Sequence, residues 1–423
     1  MKEFAMLRIS RRKLLGSAGA VAAARFLVPA HAKAAAGTSG RLNVREFPGG
    51  IAAAVNTGQP LYAPPGVYEL PSRVALKEPL DLLGDASDPP TFRWKRRDAF
   101  IPGHAPLRFR HCRFVDGPGY LVNMDDTAAE VPYIGVLDCS FEAVGGVIGW
   151  PTLEPLPGSR LGQLEVRRVS ARNVGRGIMV QGGTTVRFDV EDYACDGYTR
   201  FGLLIGPSGP RGGAYQAEML SGVVRRTKIL NGRLKAKASS NNNGAYIAGR
   251  NVELDDLHIE NLGDGRAHDT EGLYTKVVHL RGSNVRIVNA GGNQALFGCK
   301  GGNPKKPNTV LGSDTLFENL EIVCTGEHYG AGVWFQAYEG AVFAKVRTVG
   351  LTGPAFRMHE TAEGPIVLRE WHDIDGHRRK PTVFRLHGPN EVEFVGCSVT
   401  PPKANIIENV GGKATVLESG NRW

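Results

Sequence analysis

The sequence predicts an all-β protein: a right-handed, single-stranded parallel β-helix (a solenoid) with a short N-terminal capping helix. Three observations predict it. Glycine is abundant, 55 of 423 residues, beside many short apolar runs, a mixture that favours turn-rich β structure over helix. Short apolar-x-apolar strands return at steps of roughly 22 to 33 residues, the span of one solenoid repeat. The tight two-residue turns that the hairpins of a β-sandwich or propeller need are scarce.

Taken in chain order, the first segment stands apart from the fold. Ser10-Arg11-Arg12-Lys13-Leu14-Leu15 is a twin-arginine pattern. An Ala-rich apolar run from Leu14 to Ala30, interrupted by Arg25, leads to Ala30-His31-Ala32, a small-x-small cleavage site. A membrane span needs about 20 apolar residues, so a cleaved signal is the stronger expectation than a retained anchor. The pattern resembles the signals read by the Tat exporter. That resemblance implies a bacterial protein carried folded across the inner membrane by the Tat machinery, periplasmic or secreted, with no stable membrane insertion. The expected organisation is signal 1–32, linker 33–44 and one β-helix domain over 45–423.

Removing residues 1–32 changes the charge argument. The chain has 51 Lys and Arg against 42 Asp and Glu, a net charge of +9. The signal segment holds six of those cations and one acid, Glu3, which leaves +4. A global nucleic-acid footprint largely disappears, and the remaining basicity matters only where it clusters. The six cysteines (Cys112, Cys139, Cys195, Cys299, Cys324 and Cys397) form no C-x-x-C pair and have no zinc spacing. Their apolar strand contexts read as buried free thiols rather than disulfides.

Ile51-Ala52-Ala53-Ala54-Val55 reads as a short helix, followed by a strand around Leu61 and a Pro64-Pro65-Gly66 turn. Solenoid ends expose core and strand edges, so a cap is expected there. The repeat follows. Leu107-Arg108-Phe109, Ile134-Gly135-Val136, Leu164-Glu165-Val166, Val186-Arg187-Phe188, Val252-Glu253-Leu254 and Val285-Arg286-Ile287 are one strand series, continued by Val342-Phe343, Ile366-Val367-Leu368 and Val392-Glu393-Phe394. A second, mostly glycine-led series includes Gly177-Ile178-Met179, Gly244-Ala245-Tyr246, Gly272-Leu273-Tyr274 and Gly332-Val333-Trp334. With its cap, the segment from about residue 45 onward resembles the pectate-lyase-like right-handed β-helix superfamily. The resemblance implies the architecture, and one fold hosts many functions.

Alternate residues of a strand face opposite ways. Placing Leu273, Thr275, Val277, Ala295, Phe297, Cys299, Val333, Phe335, Ala337, Phe356, Met358, Phe384 and Leu386 inward leaves an outward strip. It would carry Tyr274, Lys276, Lys300, Trp334, Gln336, Tyr338, Arg357, His359, Arg385 and His387. Rings cover pyranose faces and guanidinium or ammonium groups engage carboxylates or sulfates, so an acidic polysaccharide or oligosaccharide is the expected partner. A merely solvated sheet face is the alternative.

Within that strip His268-Asp269-Thr270-Glu271-Gly272-Leu273-Tyr274-Thr275-Lys276 sets two acids close to a lysine. Aligning Leu273–Lys276 with Phe297–Lys300 puts Lys276 and Lys300 on adjacent coils. A neighbouring cation disfavours protonation, so one of the two could serve as a general base. Asp269 and Glu271, with Asn241 one coil earlier, offer oxygen ligands of the kind Ca²⁺ takes. The spacing resembles that of the β-helical polysaccharide lyases acting on alginate and dermatan-type chains. The resemblance implies calcium on the acids and Asn241, proton abstraction beside the uronate carboxyl group by Lys276, and assistance from a cation one coil later. The chain departs from that pattern with Asp at the first acid and Lys300 where the family has arginine. Asp269 as a turn residue, a surface Glu271–Lys276 ion pair and Lys300 as plain surface charge are the corresponding structural readings.

Other chemistries lack their signatures. The Trp-Ile-Asp-His and Arg-x-Pro sets of common pectate lyases and the polygalacturonase set are missing. There is no P-loop, dinucleotide fingerprint or nucleophile elbow. Asp192 with Asp196, or Asp255 with Asp256, are the carboxylate pairs available to a glycoside hydrolase. The expectation is therefore an exported lyase cleaving a uronate-containing polysaccharide by β-elimination, against a non-catalytic binding or structural β-helix, or a hydrolase.

Overall fold

The computed structural model describes Gly40–Trp423 except residues 72, 126–129, 152–158, 181–183, 207–220, 234–241, 263–269, 291–293, 300–312, 326–330, 337–338, 360–362, 377–381 and 404. The export-signal pattern lies outside the described residues, as do Asn241, Asp269, Lys300 and Tyr338. Among the described residues no helix is long and apolar enough to cross a membrane.

The strands pair in parallel, each with a strand one turn of the chain earlier and one later, so the molecule is a parallel β-solenoid. Three ladders run its length. The first passes through Leu61, Leu82, Phe109, Val136 and Val166 and continues to Phe343, Leu368 and Phe394. The second stacks Tyr68, Phe92, Phe114 and Phe141, with ring centroids 5.2, 5.5 and 4.9 Å apart, and then aliphatic residues such as Ile229, Ile259, Ile287 and Ile322. The third passes through Ile148, Ile178, Leu203, Ala245, Leu273, Leu296, Val333, Phe356 and Phe384. Apart from Tyr68, which is half-buried against it, these members face inward and are buried in one continuous core. Each fully buried Phe or Leu contributes roughly 1.5–3 kcal/mol of transfer free energy.

The turns explain where many of the Asn and Asp residues fall. Between the first and second ladders the chain bends at one left-handed residue per coil: His111, Asp138, Arg168, Asp192, Arg226, Asp256, Asn284, Asn319, Lys345 and Glu370, with φ from 45° to 59°. Between the second and third ladders Asn173, Asn231, Asn261 and Asn289 hold the same region. Asn and Asp enter it at low cost and bond locally. Here they also bond along the solenoid: Asn231 donates to Asp196 at 2.8 Å and Asn261 to Asn231 at 3.2 Å. At Gly282 the first ladder has no side chain because the Phe317 ring of the next coil fills the space, 2.5 Å from where a Cβ would sit.

The ends are specific. Leu42–Asn43 pairs with Leu61–Tyr62, so the first rung falls inside the stretch expected to be linker. The expected helix is present as Gly50–Ala54, burying Ile51 and Ala54, and lies between the first and second rungs rather than before them. At the other end Thr415–Ser419 pairs with Glu391–Val395, and Trp423 packs against Phe384 and Phe394 at 5.8 and 5.9 Å. The final segment therefore covers the last coil. Cys112, Cys139, Cys195, Cys324 and Cys397 are buried free thiols.

One assignment needs correcting. In the strand Gln294–Cys299 Leu296 joins the core, 1% exposed and in register with Leu273 and Val333. Phe297 is in backbone register with Tyr274 and Trp334. The rungs on either side set this parity, because a one-residue slip would turn every side chain of the strand over.

Candidate functional site

The outward face of the third ladder brings most of the expected strip into register. Tyr274, Phe297, Trp334, Arg357 and Arg385 occupy one position on successive rungs, followed by Glu408. Two residues further along each strand is a parallel row. It holds Lys276 beside Ala248, Gln336 beside Cys299, and His387 beside Val410. His359 follows Met358 in that row, its backbone N–H donating to the Phe335 carbonyl at 2.8 Å. Adjacent rungs stand about 4.8 Å apart, so residues far apart in sequence become neighbours.

Tyr274 is not an open sugar platform. It is 6% exposed and stacks on Tyr246 at 4.7 Å, within an outer apolar cluster with Met179, Phe201 and Leu204. Lys276 reaches over it, with its ammonium 5.6 Å from the ring centroid. Trp334 packs against the same cluster but stays half-buried. The Arg357 guanidinium lies 4.6 Å from the Trp334 ring centroid, a cation–π contact, and the His359 ring is 6.1 Å from it. Arg385, on the next rung, faces Glu408 at 3.3 Å. Burial lowers the pKa of His387, and the positive charges of Arg385 and Arg357 lower it further. The accessible part of the strip is therefore Lys276, Trp334, Arg357, His359, Arg385 and His387.

The two-lysine pairing does not keep its basis. Leu273 pairs with Leu296, Tyr274 with Phe297 and Thr275 with Gly298. The register is described as far as Thr275 opposite Gly298, and Lys300, the expected partner of Lys276, lies outside the described residues. The expected alignment was one residue out, because the apolar pair Leu296-Phe297 can be read with either member inward.

The expected calcium ligands are only partly described. Glu271 is 5% exposed, and its register partner on the preceding rung is Asn243, fully buried. Carboxylate and amide oxygens fit a hard cation in kind. Among the described residues no group of three or more His, Cys, Asp or Glu side chains is placed to hold a metal.

The carboxylate pairs considered for hydrolysis are occupied by the turns. Asp192 accepts from Arg226 at 2.6 and 3.0 Å, which lowers its pKa, while Asp196, at the other end of its strand, accepts from Asn231. Asp255 accepts from Ser283 at 2.7 Å and Asn284 at 2.9 Å.

Sequence reasoning missed the other end of this face. Arg176 donates to the Tyr120 hydroxyl at 2.9 Å, and Arg200 lies 5.6 Å from the Phe201 ring. The signal was present for part of it. Tyr246 holds the same place after Gly244 as Tyr274 holds after Gly272, and Arg176 immediately precedes Gly177.

No protein-family model matches the chain, and no curated protein matches it. Solved structures do. The catalytic domain of a GH87 α-1,3-glucanase in complex with tetrasaccharides is 12% identical, with a TM-score of 0.42, covering 92% of this chain and 70% of that one. The Streptococcus pneumoniae surface protein and adhesin PfbA is 11% identical, TM-score 0.34, covering 90% and 97%. A mannuronic acid specific polysaccharide family 6 lyase from human gut microbiota is 10% identical, TM-score 0.31, covering 89% and 90%. The chemistry of this face rests on its own residues.

Proposed function

We propose that the protein is an exported carbohydrate-active solenoid that binds an acidic, uronate-containing polysaccharide along the outer face of its third ladder and cleaves it by β-elimination. The observation that carries this reading is the run Trp334, Arg357 and Arg385 on successive rungs, with His359 and His387 beside them. An aromatic face for sugar rings, followed by stacked guanidinium groups for carboxylates, is a combination suited to an anionic glycan.

Lys276 is the proposed base. Its neutral amine takes the proton beside the uronate carboxyl group. The electron pair left behind forms a carbon–carbon double bond as the bond to the glycosidic oxygen breaks, and that oxygen takes up a proton. A hard cation such as Ca²⁺, held by Glu271 with Asn243 or Asn241 and Asp269, would neutralise the carboxylate and make the proton more acidic.

The test is to incubate the protein lacking residues 1–32 with alginate, pectate and glycosaminoglycans, with and without EDTA. A lyase produces an unsaturated uronate that absorbs in the ultraviolet. A hydrolase produces reducing ends without that absorbance, and a binding protein retains polymer and produces neither. No absorbance, reducing ends or binding on any acidic polymer would remove the proposal.

A further inference from the structure

The end of the strip furthest from Lys276 has a property of its own. Arg357 and Arg385 are register partners, so two guanidinium groups stack at about one rung spacing. Each has a local compensation on the side away from the other. Arg357 lies over the Trp334 ring, and Arg385 faces the Glu408 carboxylate at 3.3 Å. The two guanidinium groups adjoin one space. His387 stands two residues after Arg385 on the same face of the strand Phe384–His387, and its Nε2 is shielded from solvent with no hydrogen-bond partner among the described residues. The Arg385 Nε is sheltered in the same way, its approach to Glu408 lacking hydrogen-bond geometry.

We propose that Arg357, Arg385 and His387 form one subsite for a single anionic group of the glycan, a carboxylate or a sulfate ester, and that protonation of His387 tightens its hold. This rests on the acidic-polysaccharide reading above and adds to it the place of the anion and a pH dependence.

The groups facing His387 fix the sign. Arg385 on its own strand and Arg357 and His359 from the rung below disfavour its charged form, as does its burial; Glu408 from the rung above favours it. The imidazole is therefore neutral at neutral pH in the free protein. An anion seated between the two arginines cancels the field that opposes protonation and accepts a hydrogen bond from the imidazolium. The bound state then holds more protons than the free state, and affinity must rise as pH falls. Uronate carboxylates, and sulfate esters still more so, stay ionised down to about pH 4, so the gain is lost as pH rises through the histidine pKa of the bound state and persists down to about pH 4. A shift of one unit in the histidine pKa on binding corresponds to a tenfold gain in affinity.

The experiment is calorimetric titration of the full protein at pH 5.0 and pH 7.5 with three probes: an oligouronate, a sulfated oligosaccharide and a neutral oligoglucan. The expected result is binding of at least one acidic probe about tenfold tighter at pH 5.0, a His387→Gln variant that loses this ratio, and no binding of the neutral probe. Which acidic probe binds identifies the anion. If His387→Gln does not fold, histidine NMR of the unaltered protein replaces it; the His387 resonance should titrate at higher pH when the probe is bound. Affinity for an acidic probe that is equal at the two pH values, or a ratio that survives His387→Gln, overturns the subsite and leaves the polysaccharide reading standing. Absence of binding to either acidic probe at both pH values removes both.

Discussion

Removing the Trp334 ring should damage glycan binding twice, once directly and once through Arg357. The indole is half-buried against the outer apolar cluster and carries the Arg357 guanidinium 4.6 Å from its centroid. Because the cation–π contact is already made in the free protein, its roughly 1–2 kcal/mol is the upper bound on what holding Arg357 in place adds to affinity, and an aromatic contact with the ligand contributes about 0.5–1.5 kcal/mol more. Trp334→Ala is therefore expected to weaken binding of an oligouronate by at most about 2–3 kcal/mol, on the order of 30- to 150-fold. Arg357→Ala loses a charged hydrogen bond to the ligand, about 1.5–3 kcal/mol. Because Trp334 positions Arg357, the double variant should lose about 1 kcal/mol less than the two single losses summed. The assay is titration calorimetry on all four proteins, with thermal unfolding to show that each is folded. Single losses that add to within about 0.3 kcal/mol would refute the claim that the ring holds the arginine in place.

Other perturbations test separate parts of the argument. Lys276→Ala should lower the rate of unsaturated-uronate formation by about 10²- to 10⁴-fold with less than tenfold change in affinity, and an unchanged rate would remove the base assignment. EDTA should abolish turnover with restoration by Ca²⁺ if Glu271 holds a cation, whereas full activity in EDTA would count against that site. Burial alone would raise the Asp81 carboxyl, but hydrogen bonds from Arg108 at 2.8 Å and Arg41 at 2.7 Å, with Arg110 nearby, hold it at about 2. Its folded pKa is depressed, so its stabilisation of about 2 kcal/mol is complete above about pH 4 and lost as pH falls towards 2. Hydrogen exchange at pH 3 should show early opening of the first coils, and Asp81→Asn should open them already at pH 7; equal protection in the variant at pH 7 would contradict this. In the core, Thr348 donates to the buried Asp373 at 2.7 Å. Thr348→Val should cost about 1–3 kcal/mol in urea unfolding, and a midpoint unchanged from the parent would show that the bond contributes nothing.

The fold was legible because its two main determinants are local. Alternation placed Val333, Phe335, Phe356, Met358, Phe384 and Leu386 inward, and each is buried. Short glycine-led strands marked the repeat, and its turns need left-handed residues, such as Asn231 and Asp256. The first rung was less legible. Leu42–Asn43 is two residues long, its burial pattern shows no inward anchor, and its place comes from pairing with Leu61–Tyr62. No pattern within so short a strand can announce that pairing.

The site was legible only where an inward residue is unambiguous. Trp334 lies between Val333 and Phe335, both 1% exposed, so its outward direction follows from the strand alone. The strand Gln294–Cys299 gives no such guide, since Ala295, Leu296, Phe297 and Cys299 could all serve a core. What decides it is the slot between Leu273 below and Val333 above, which Leu296 fills. Beyond that strand Arg357 and Arg385 stack on successive rungs of the face. Arg357 stands three rungs beyond Lys276, roughly 14 Å at about 4.8 Å per rung. A single uronate cannot touch the proposed base and the stacked guanidinium groups together. A chain of several sugars can, with its anion held at Arg357 and Arg385 while a different residue of the same chain meets Lys276. The site therefore requires a polymer, and monomeric uronate should neither occupy it tightly nor compete with the oligomer.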